Sequence, residues 1–311
     1  MKKLNLLNLK TNLLVKFPPA RFVNYFVISI LSIFITGNCF SQSADIPKSY
    51  VCYQTKTPVE IDGKLNESSW KKAAWTDLFV DIEGDKKPLP LQKTRVKMLW
   101  DDTCLYIGAV MDEEHIWAYQ NKKDQIVFLE NDFEVFIDPD GDTENYYELE
   151  INAINNSFDL FLPKTYKNGG IAQHKWHIKD LKSAVFIEGT VNNSTDTDKR
   201  WTLEIAIPLA SLSNDPVSAV FPKDQSLWRI NFSRVNWQHE IIDGKYTRRK
   251  NPETKKVLPE YNWVWSPQGK INMHLPEHWG YLLFSSKKPG RKKTEKSGNS
   301  KVSNHQNTVK Q

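Results

Sequence analysis

Residues 131–159 read NDFEVFIDPDGDTENYYELEINAINNSFD, two segments of alternating apolar and polar side chains on either side of an acidic turn. Alternation with a period of two places successive side chains on opposite faces of a β-strand. The Asp-Pro and Asp-Gly pairs favour a turn between two such strands. The stretch therefore predicts a β-hairpin, with strands over 132–138 and 146–154 and one apolar face directed at a core.

The other face of this hairpin is predicted to be polar and crowded with carboxylates. Asp132 and Glu134 of the first strand lie there beside Glu148, Glu150 and Asn152 of the second. Carboxylates that face one another repel unless a cation, hydrogen-bond donors or a ligand compensates them. Donors are expected from a later strand, whose polar residues are Arg229, Asn231 and Arg234.

The same alternation recurs through the middle of the chain and defines the predicted fold class. Further strand-like segments occur at 95–100, 105–110, 201–207, 228–232 and 281–284. Many short strands with one apolar face each predict an all-β fold, a two-sheet antiparallel β-sandwich of jelly-roll or immunoglobulin-like type. One or two short helices are expected, at 67–74 and just after Pro208.

The two ends of the chain differ in composition from this middle part. Residues 1–41 start with lysines and contain the apolar run FVNYFVISILSIFI, which is typical of a secretory signal peptide; an uncleaved anchor is the alternative. Residues 286–311 are basic and almost without apolar side chains, which predicts a disordered tail. The folded domain is therefore expected over 45–285, secreted or periplasmic, with no transmembrane segment after signal cleavage.

The charge of the predicted domain argues against one class of partner, and its two cysteines leave two covalent states open. The formal net charge of +5 comes from the two basic ends, and the middle part is acidic, which argues against a nucleic-acid partner. Cys52 and Cys104 remain in the domain once the signal segment is removed. In an oxidising compartment they form a disulfide or stay as two buried thiols, and both alternatives are open.

Eight segments, in order along the chain, resemble the family 9 carbohydrate-binding modules. They include IDGKLNESSW at 61–70, the acidic hairpin, WTLEIAIP at 201–208, WRINFSRV at 228–235, NWVWSP at 262–267 and MHLPEHWGYLLF at 273–284. The chain is more similar to the stand-alone modules than to those attached to xylanases. The resemblance places it in the wider DOMON-like group of β-sandwiches, some of which bind haem or sugars.

The resemblance implies a sugar held between aromatic rings, with calcium in some members and a glycoside hydrolase as a possible partner. Two positions depart from the family pattern. The tryptophan expected just before the acidic strand is absent from IVFLE at 126–130, and Phe128 or Trp117 is the candidate substitute. The arginine expected on the second hairpin strand is replaced by Glu148 or Glu150.

Tryptophan content supports the expectation of a sugar ligand. The chain has 11 tryptophans, and a flat indole covers the apolar face of a sugar ring. Trp70, Trp100, Trp201 and Trp228 are in phase with apolar neighbours and are assigned to the core. Those in polar, loop-like contexts are predicted to be exposed platforms. With the polar candidates, the predicted ligand-binding residues are Trp117, Trp176, Trp237, Trp263, Glu148, Glu150, Asn152, Arg229 and Asn231.

The turn of the hairpin is a candidate calcium site. Asp138, Asp140 and Asp142 offer hard oxygen ligands from one short segment, and calcium prefers such ligands. The spacing does not match an EF-hand, because Leu149 occupies the position of the bidentate glutamate. A solvated acidic turn without an ion is the alternative.

The sequence favours a secreted, non-catalytic protein that binds a polysaccharide or oligosaccharide and assists its capture or catabolism. A hydrolase of O-glycosyl bonds is one alternative, because Glu134, Glu148, Glu150 and Glu204 could supply the two carboxylates it needs. A haem-binding electron-transfer domain with a Met–His ligand pair is the other. No catalytic residue is predicted, since no spacing marks an acid and a nucleophile.

Overall fold

The computed structural model describes residues 46–123, 125–212 and 221–287. The predicted signal segment at 1–41 and nearly all of the predicted tail at 286–311 lie outside the described residues. The helix α1 spans Ser68–Lys72, within the region predicted to be helical. The strands are β1 (Ser49–Gln54), β2 (Val80–Asp81), β3 (Thr94–Trp100), β4 (Cys104–Asp112), β5 (Asp132–Asp138), β6 (Tyr146–Asn152), β7 (Ser157–Leu162), β8 (Lys182–Glu188), β9 (Arg200–Pro208), β10 (Leu227–Asn236), β11 (His239–Ile242), β12 (Lys245–Arg248), β13 (Tyr261–Val264) and β14 (Gly280–Ser285).

Short 3₁₀ turns connect several of these strands. One, Leu209–Ser211, follows Pro208 where a short turn or helix was expected. The others are Gly84–Lys86, Val127–Leu129, Tyr166–Asn168 and Pro276–His278.

Twelve strands form one curled sheet in the order β7-β6-β5-β10-β14-β1-β3-β4-β9-β8, with β13 paired to β10 and β2 paired to β13. The strands β11 and β12 form a separate hairpin. The mostly β architecture agrees with the sequence prediction. The purely antiparallel arrangement was wrong, because β1 runs parallel to both β14 and β3.

The position of β1 explains why the sheet is mixed. A parallel neighbour requires a long connection, and between β1 and β3 the chain passes through α1 and β2. The other neighbour, β14, comes from the far end of the domain, so that Ser49 pairs with Tyr281. Through its hydrogen bonds to β14 and β3, this strand makes the two halves one continuous sheet, where two separate sheets were predicted.

One apolar core is shared by the two halves of the curled sheet. Val135 of β5 and Leu149 of β6 belong to the same buried cluster as Ile107 of β4 and Leu203 of β9. The four tryptophans assigned to the core from the sequence, Trp70, Trp100, Trp201 and Trp228, are all buried. Because the apolar side chains of the acidic hairpin fill this core, its polar side chains are directed to the opposite face.

Gly63, in the opening segment IDG, lies where only glycine fits. Its φ is +85°, and an added Cβ would lie 2.6 Å from the backbone nitrogen of Phe186 on β8. We expect Gly63→Ala to lower the free energy of unfolding by about 2–3 kcal/mol, from left-handed backbone strain plus overpacking. Gly244→Ala is the control. Gly244 has a φ of +74° and nothing within 4 Å of an added Cβ, so this substitution introduces backbone strain without overpacking. Equal losses in the two variants, measured by urea unfolding, would contradict the close approach to β8.

Two further predictions concern the cysteines and membrane spans. Cys52 and Cys104 are both free thiols, so the disulfide alternative is not realised; Cys52 is buried as expected, whereas Cys104 is only partly buried. Within the part of the chain that the structure describes, no helix has the length and apolar character needed to span a bilayer.

Candidate functional site

The register of the acidic hairpin brings its carboxylates together on one face. Glu134 of β5 lies opposite Glu150 of β6, and Phe136 lies opposite Glu148. Directly opposed residues of an antiparallel pair project from the same face of the sheet. The predicted polar face is therefore present.

Glu134, Glu148 and Glu150 form a buried cluster, which we call the acidic cluster. One carboxylate oxygen from each lies within 4.8 Å of the others. The three side chains are only 6%, 6% and 1% exposed. Among the described residues, none of the three forms an ion pair with a lysine or arginine.

Burial and mutual repulsion raise the proton affinity of these carboxyl groups. Burial raises the pKa of Glu134 to about 7. Burial, and then the neighbouring carboxylates, raise the pKa values of Glu148 and Glu150 well above the usual range. Asp132 lies on the same strand face, and burial followed by the charge of Glu134 raises its pKa in the same direction. The face therefore stores unfavourable electrostatic energy whenever these groups are ionised together.

A pocket of about 220 Å³ opens onto the acidic cluster. Glu134 and Glu148 lie in its wall together with Phe128, a residue that is 42% exposed. The remaining lining residues are Phe136, Val235, Glu260, Asn262, Asn272, Met273 and His274. We call this the acidic pocket, and its wall combines carboxylates, side-chain amides and aromatic rings.

His274 lies in the wall of the acidic pocket as a neutral group. Burial lowers the pKa of its imidazole to about 4, so it is uncharged at neutral pH. Its Nδ1 lies 3.0 Å from the hydroxyl of Tyr146, and the ring of Tyr166 packs edge-on at 4.5 Å. Its Nε2 lies 3.8 Å from Glu148 Oε2, beyond hydrogen-bonding distance. A neutral imidazole does not compensate the charge of the acidic cluster.

The donors expected from β10 are engaged elsewhere. The guanidinium of Arg234 binds Glu113 at 2.5 Å on the core side of the sheet. The guanidinium of Arg229 donates to the carbonyls of Glu277 and Trp279 and lies 4.1 Å from the ring of Tyr281. The expectation that they neutralise the acidic face was therefore wrong.

The two asparagines predicted to bind ligand are saturated by the protein itself. The amide of Asn231 bonds Ser266 through its nitrogen and its oxygen. The amide nitrogen of Asn152 donates to Gln120 O and Glu130 Oε1. Both side chains are fully buried and neither lines the acidic pocket, so their evident role is to hold the sheet and its loops.

The predicted exposure of three tryptophans was wrong. Trp117, Trp237 and Trp263 are only 4%, 8% and 3% exposed. Trp117 stacks on Tyr246, and Trp237 donates its indole N–H to Phe128 O beneath the guanidinium of Arg248. The partly buried Trp176 packs against the core, with its ring centroid 4.8 Å from that of Tyr147. Of the two substitutes for the missing family tryptophan, only Phe128 lines the pocket.

The acidic turn has the geometry expected of an Asx-stabilised turn. Asp138 accepts hydrogen bonds from the backbone N–H groups of Gly141 and Thr143 at 2.8 and 2.9 Å. One oxygen from each of Asp138, Asp140 and Asp142 lies within 4.8 Å of the others, with the last two exposed. Burial raises the pKa of Asp138 to about 7. The donor set suits calcium, and the calcium role of this turn remains a prediction.

Glu204, a carboxylate considered for catalysis, lies away from the acidic pocket. Its carboxylate accepts hydrogen bonds from the backbone N–H groups of Asp62 and Gly63 and from the indole N–H of Trp70, at 2.9, 2.7 and 2.6 Å. All three donors belong to the opening segment at 61–70. The role of Glu204 is therefore to fasten this segment to β9.

Most residues of the acidic pocket could not be found from the sequence. Glu260, Asn272 and His274 come from the loops before β13 and before β14, and Asn262 comes from β13 itself, all far along the chain from the acidic hairpin. The polar phase of the hairpin identified Glu134 and Glu148, and the family resemblance identified Phe128.

A sequence model of the family described as "Carbohydrate family 9 binding domain-like" matches residues 61–227, more than half of the chain. The chain belongs to this family. The matched residues include the acidic hairpin and, of the residues that line the acidic pocket, Phe128, Glu134 and Glu148. No match was found among curated proteins.

Three solved structures are similar to this family 9 chain. A candidate carbohydrate-binding protein from Bacteroides uniformis has 15% identity and a TM-score of 0.56, over 77% of this chain and all of that one. Two structures of a family 9 carbohydrate-binding module from Caldicellulosiruptor kristjanssonii have TM-scores of 0.47 and 0.48. The cellotriose complex has 13% identity over 76% of this chain and 94% of that one. The glucose complex has 12% identity over 78% and 99%.

The likeness to the Bacteroides uniformis protein establishes a shared fold over the domain. The matches give no support for the wider DOMON-like grouping suggested by the sequence resemblance.

Proposed function

We propose that this chain binds a carbohydrate in the acidic pocket. The observation that carries the proposal is the composition of the pocket wall in a member of a carbohydrate-binding family. Carboxylates and amides accept and donate hydrogen bonds to sugar hydroxyls, while an aromatic ring covers the apolar face of a sugar. Glu134, Glu148, Asn262 and Asn272 supply the polar groups, and Phe128 supplies the exposed ring.

A second pocket extends this site along the surface. Its volume is about 310 Å³, and it shares Glu260 and Asn262 with the acidic pocket. Tyr261, which stacks on Trp263 with ring centroids 5.6 Å apart, lies in its wall with Leu89. The pair of pockets offers a path longer than one sugar ring, which favours an oligosaccharide or a polysaccharide chain as ligand.

Phe128→Ala is expected to weaken carbohydrate binding about tenfold. The substitution removes the exposed ring beside Glu134 and Glu148, and an aromatic contact of this kind contributes about 1–1.5 kcal/mol. The measurement is depletion of the protein from solution by insoluble cellulose, xylan or pectin, compared with the unsubstituted chain.

The control for this prediction is Phe221→Ala. Phe221 is 46% exposed, similar to Phe128, but does not line the acidic pocket. Its loss is expected to leave depletion unchanged. If both substitutions weaken carbohydrate binding equally, or if neither weakens it, the sugar contact lies outside the acidic pocket.

A non-catalytic role in polysaccharide capture, after secretion and with a glycoside hydrolase as partner, is part of the proposal. The acidic cluster supplies carboxylates but no assigned acid and nucleophile, and Glu204 is occupied by three structural hydrogen bonds. The expected result is no release of reducing ends when the purified chain is incubated with a polysaccharide that it binds. Release that disappears in Glu148→Gln would instead support a hydrolase.

Two of the three methionines considered as haem ligands lie in the core. Met98 and Met111 are completely buried in the apolar core shared by the two halves of the sheet. The third, Met273, lines the acidic pocket together with His274.

A further inference from the structure

We propose that Glu134, Glu148 and Glu150 form a binding site for one divalent cation of the hard, oxygen-preferring class, with calcium the best fit. Calcium binds oxygen at about 2.3–2.6 Å, so oxygens on opposite sides of the ion lie about 4.6–5.2 Å apart. The three carboxylate oxygens of the acidic cluster fall within 4.8 Å of one another. The inference concerns the ion alone and does not depend on sugar binding.

The charge of the acidic cluster provides the first argument for a cation. Three buried carboxylates face one another, and none of them forms an ion pair with a lysine or arginine among the described residues. Taking ionised carboxylates out of water is costly unless an opposite charge is close. A divalent cation between them supplies that charge without any change in the backbone.

Asp132 provides a second, independent observation. It lies outside the three-carboxylate cluster, two residues before Glu134 on the same face of β5, and is completely buried. Neither of its carboxylate oxygens has a hydrogen-bond partner among the described residues. Its strongest charge interactions are with Glu134 and Glu150. Buried polar atoms without a partner are rare in folded proteins, and the positive charge of a cation in the adjacent cluster would stabilise this carboxylate.

The acidic cluster itself contains an oxygen without a partner. Glu148 Oε2 is buried and makes no hydrogen bond to a described residue. Glu150, in contrast, is held in place because its Oε2 accepts the backbone N–H groups of Val127 and Phe128 at 3.2 and 3.1 Å. A fixed carboxylate beside an unsatisfied one is the arrangement expected of a preformed cation site.

The acidic pocket gives an ion access and additional ligands. Glu134 and Glu148 line it directly, so a cation reaches the cluster without passing through the core. Asn262, Asn272 and Glu260 line the same pocket and offer further oxygens to an ion that prefers six to eight ligands. Water or a ligand hydroxyl completes the shell on the open side.

The test uses the full chain after removal of metals with a chelator. Calcium chloride alone is titrated in a calorimeter, and thermal unfolding is followed with and without calcium. The expected result is an ion that binds to the acidic cluster, in addition to any ion held by the acidic turn, and a higher Tm in calcium. Glu150→Gln and Glu134→Gln are each expected to weaken calcium binding at least tenfold. Both are expected to raise the Tm of the metal-free protein, because each removes one repelling charge.

The control is Asp140→Asn in the acidic turn, which holds the other carboxylate group considered for calcium. It is expected to leave the calcium affinity of the acidic cluster unchanged. Calcium binding that is lost in Asp140→Asn but survives both glutamate substitutions would overturn the assignment. Absence of any heat or Tm change with calcium in the unsubstituted chain would overturn it as well, and would mean that shared protons relieve the repulsion.

Discussion

Arg234→Met is expected to lower the free energy of unfolding by about 3–5 kcal/mol. The guanidinium of Arg234 is 1% exposed and binds Glu113 Oε2 at 2.5 Å, Gln92 Oε1 at 3.0 Å and Thr94 Oγ1 at 3.0 Å. Removing one partner of a buried ion pair leaves the other charge buried and uncompensated. Glu113 would be that charge, since it is 4% exposed. Urea unfolding followed by tryptophan fluorescence measures the loss.

Glu113→Gln, introduced into the Arg234→Met chain, serves as the matched control for this first prediction. The double variant carries no unpaired buried charge, so it should recover part of the lost stability. A loss below about 1 kcal/mol in Arg234→Met, or no recovery in the double variant, would show that the pair is not buried as described.

Glu204→Ala is expected to have an effect of similar size, about 3–5 kcal/mol. Its carboxylate accepts hydrogen bonds from the backbone of Asp62 and Gly63 and from the indole of Trp70, which is completely buried. The substitution would leave these donors without an acceptor, and each buried unsatisfied group costs about 1–3 kcal/mol. The opening segment at 61–70 should become the first part of the domain to exchange its amide hydrogens.

Glu204→Gln separates hydrogen bonding from loss of volume in this second prediction. Glutamine keeps one acceptor oxygen, but its NH₂ group faces a donor at one of the three contacts. The expected loss is therefore smaller than in Glu204→Ala and greater than zero. Unfolding free energies within about 1 kcal/mol of the unsubstituted chain in both variants would mean that Glu204 does not hold the segment.

The acidic hairpin was predictable because its information is local. The alternation in 131–159 defines both strands, and the period of two places the acids on one face before any partner strand is known. Arg234, in contrast, pairs with Phe133, which belongs to the core face. Its guanidinium therefore cannot reach Glu134 on the opposite face of the sheet.

The parallel pairs of β1 and the burial of three tryptophans had no local signal. The contact of β1 with β14 joins the two ends of the domain, and no pattern within either strand specifies the direction of its neighbour. Trp237 lies between two polar residues and Trp117 follows the polar run DEEH at 112–115, but Tyr246 and Arg248 from the β11–β12 hairpin cover their rings. Residues distant in sequence provide that cover, so a single sequence does not reveal it.

The pocket itself shows how little of a binding site one sequence contains. The polar phase of one hairpin identifies Glu134 and Glu148, whereas Asn262 lies on β13 and Asn272 and His274 lie in the loop before β14. Phe128 is the instructive exception. It was proposed only because the family pattern has a tryptophan nearby, and the structure places its exposed ring beside the two glutamates of the pocket.

Carbohydrate binding by the folded chain is the central claim, and a calorimetric titration tests it most directly. Glucose, xylose, cello- and xylo-oligosaccharides and pectic fragments are titrated separately into the full chain in a buffer that contains calcium, with its fold verified by circular dichroism. The account predicts saturable heat with one ligand class, stronger for an oligosaccharide than for the monosaccharide it contains. No heat with any of these sugars, from a chain that is demonstrably folded, would contradict it.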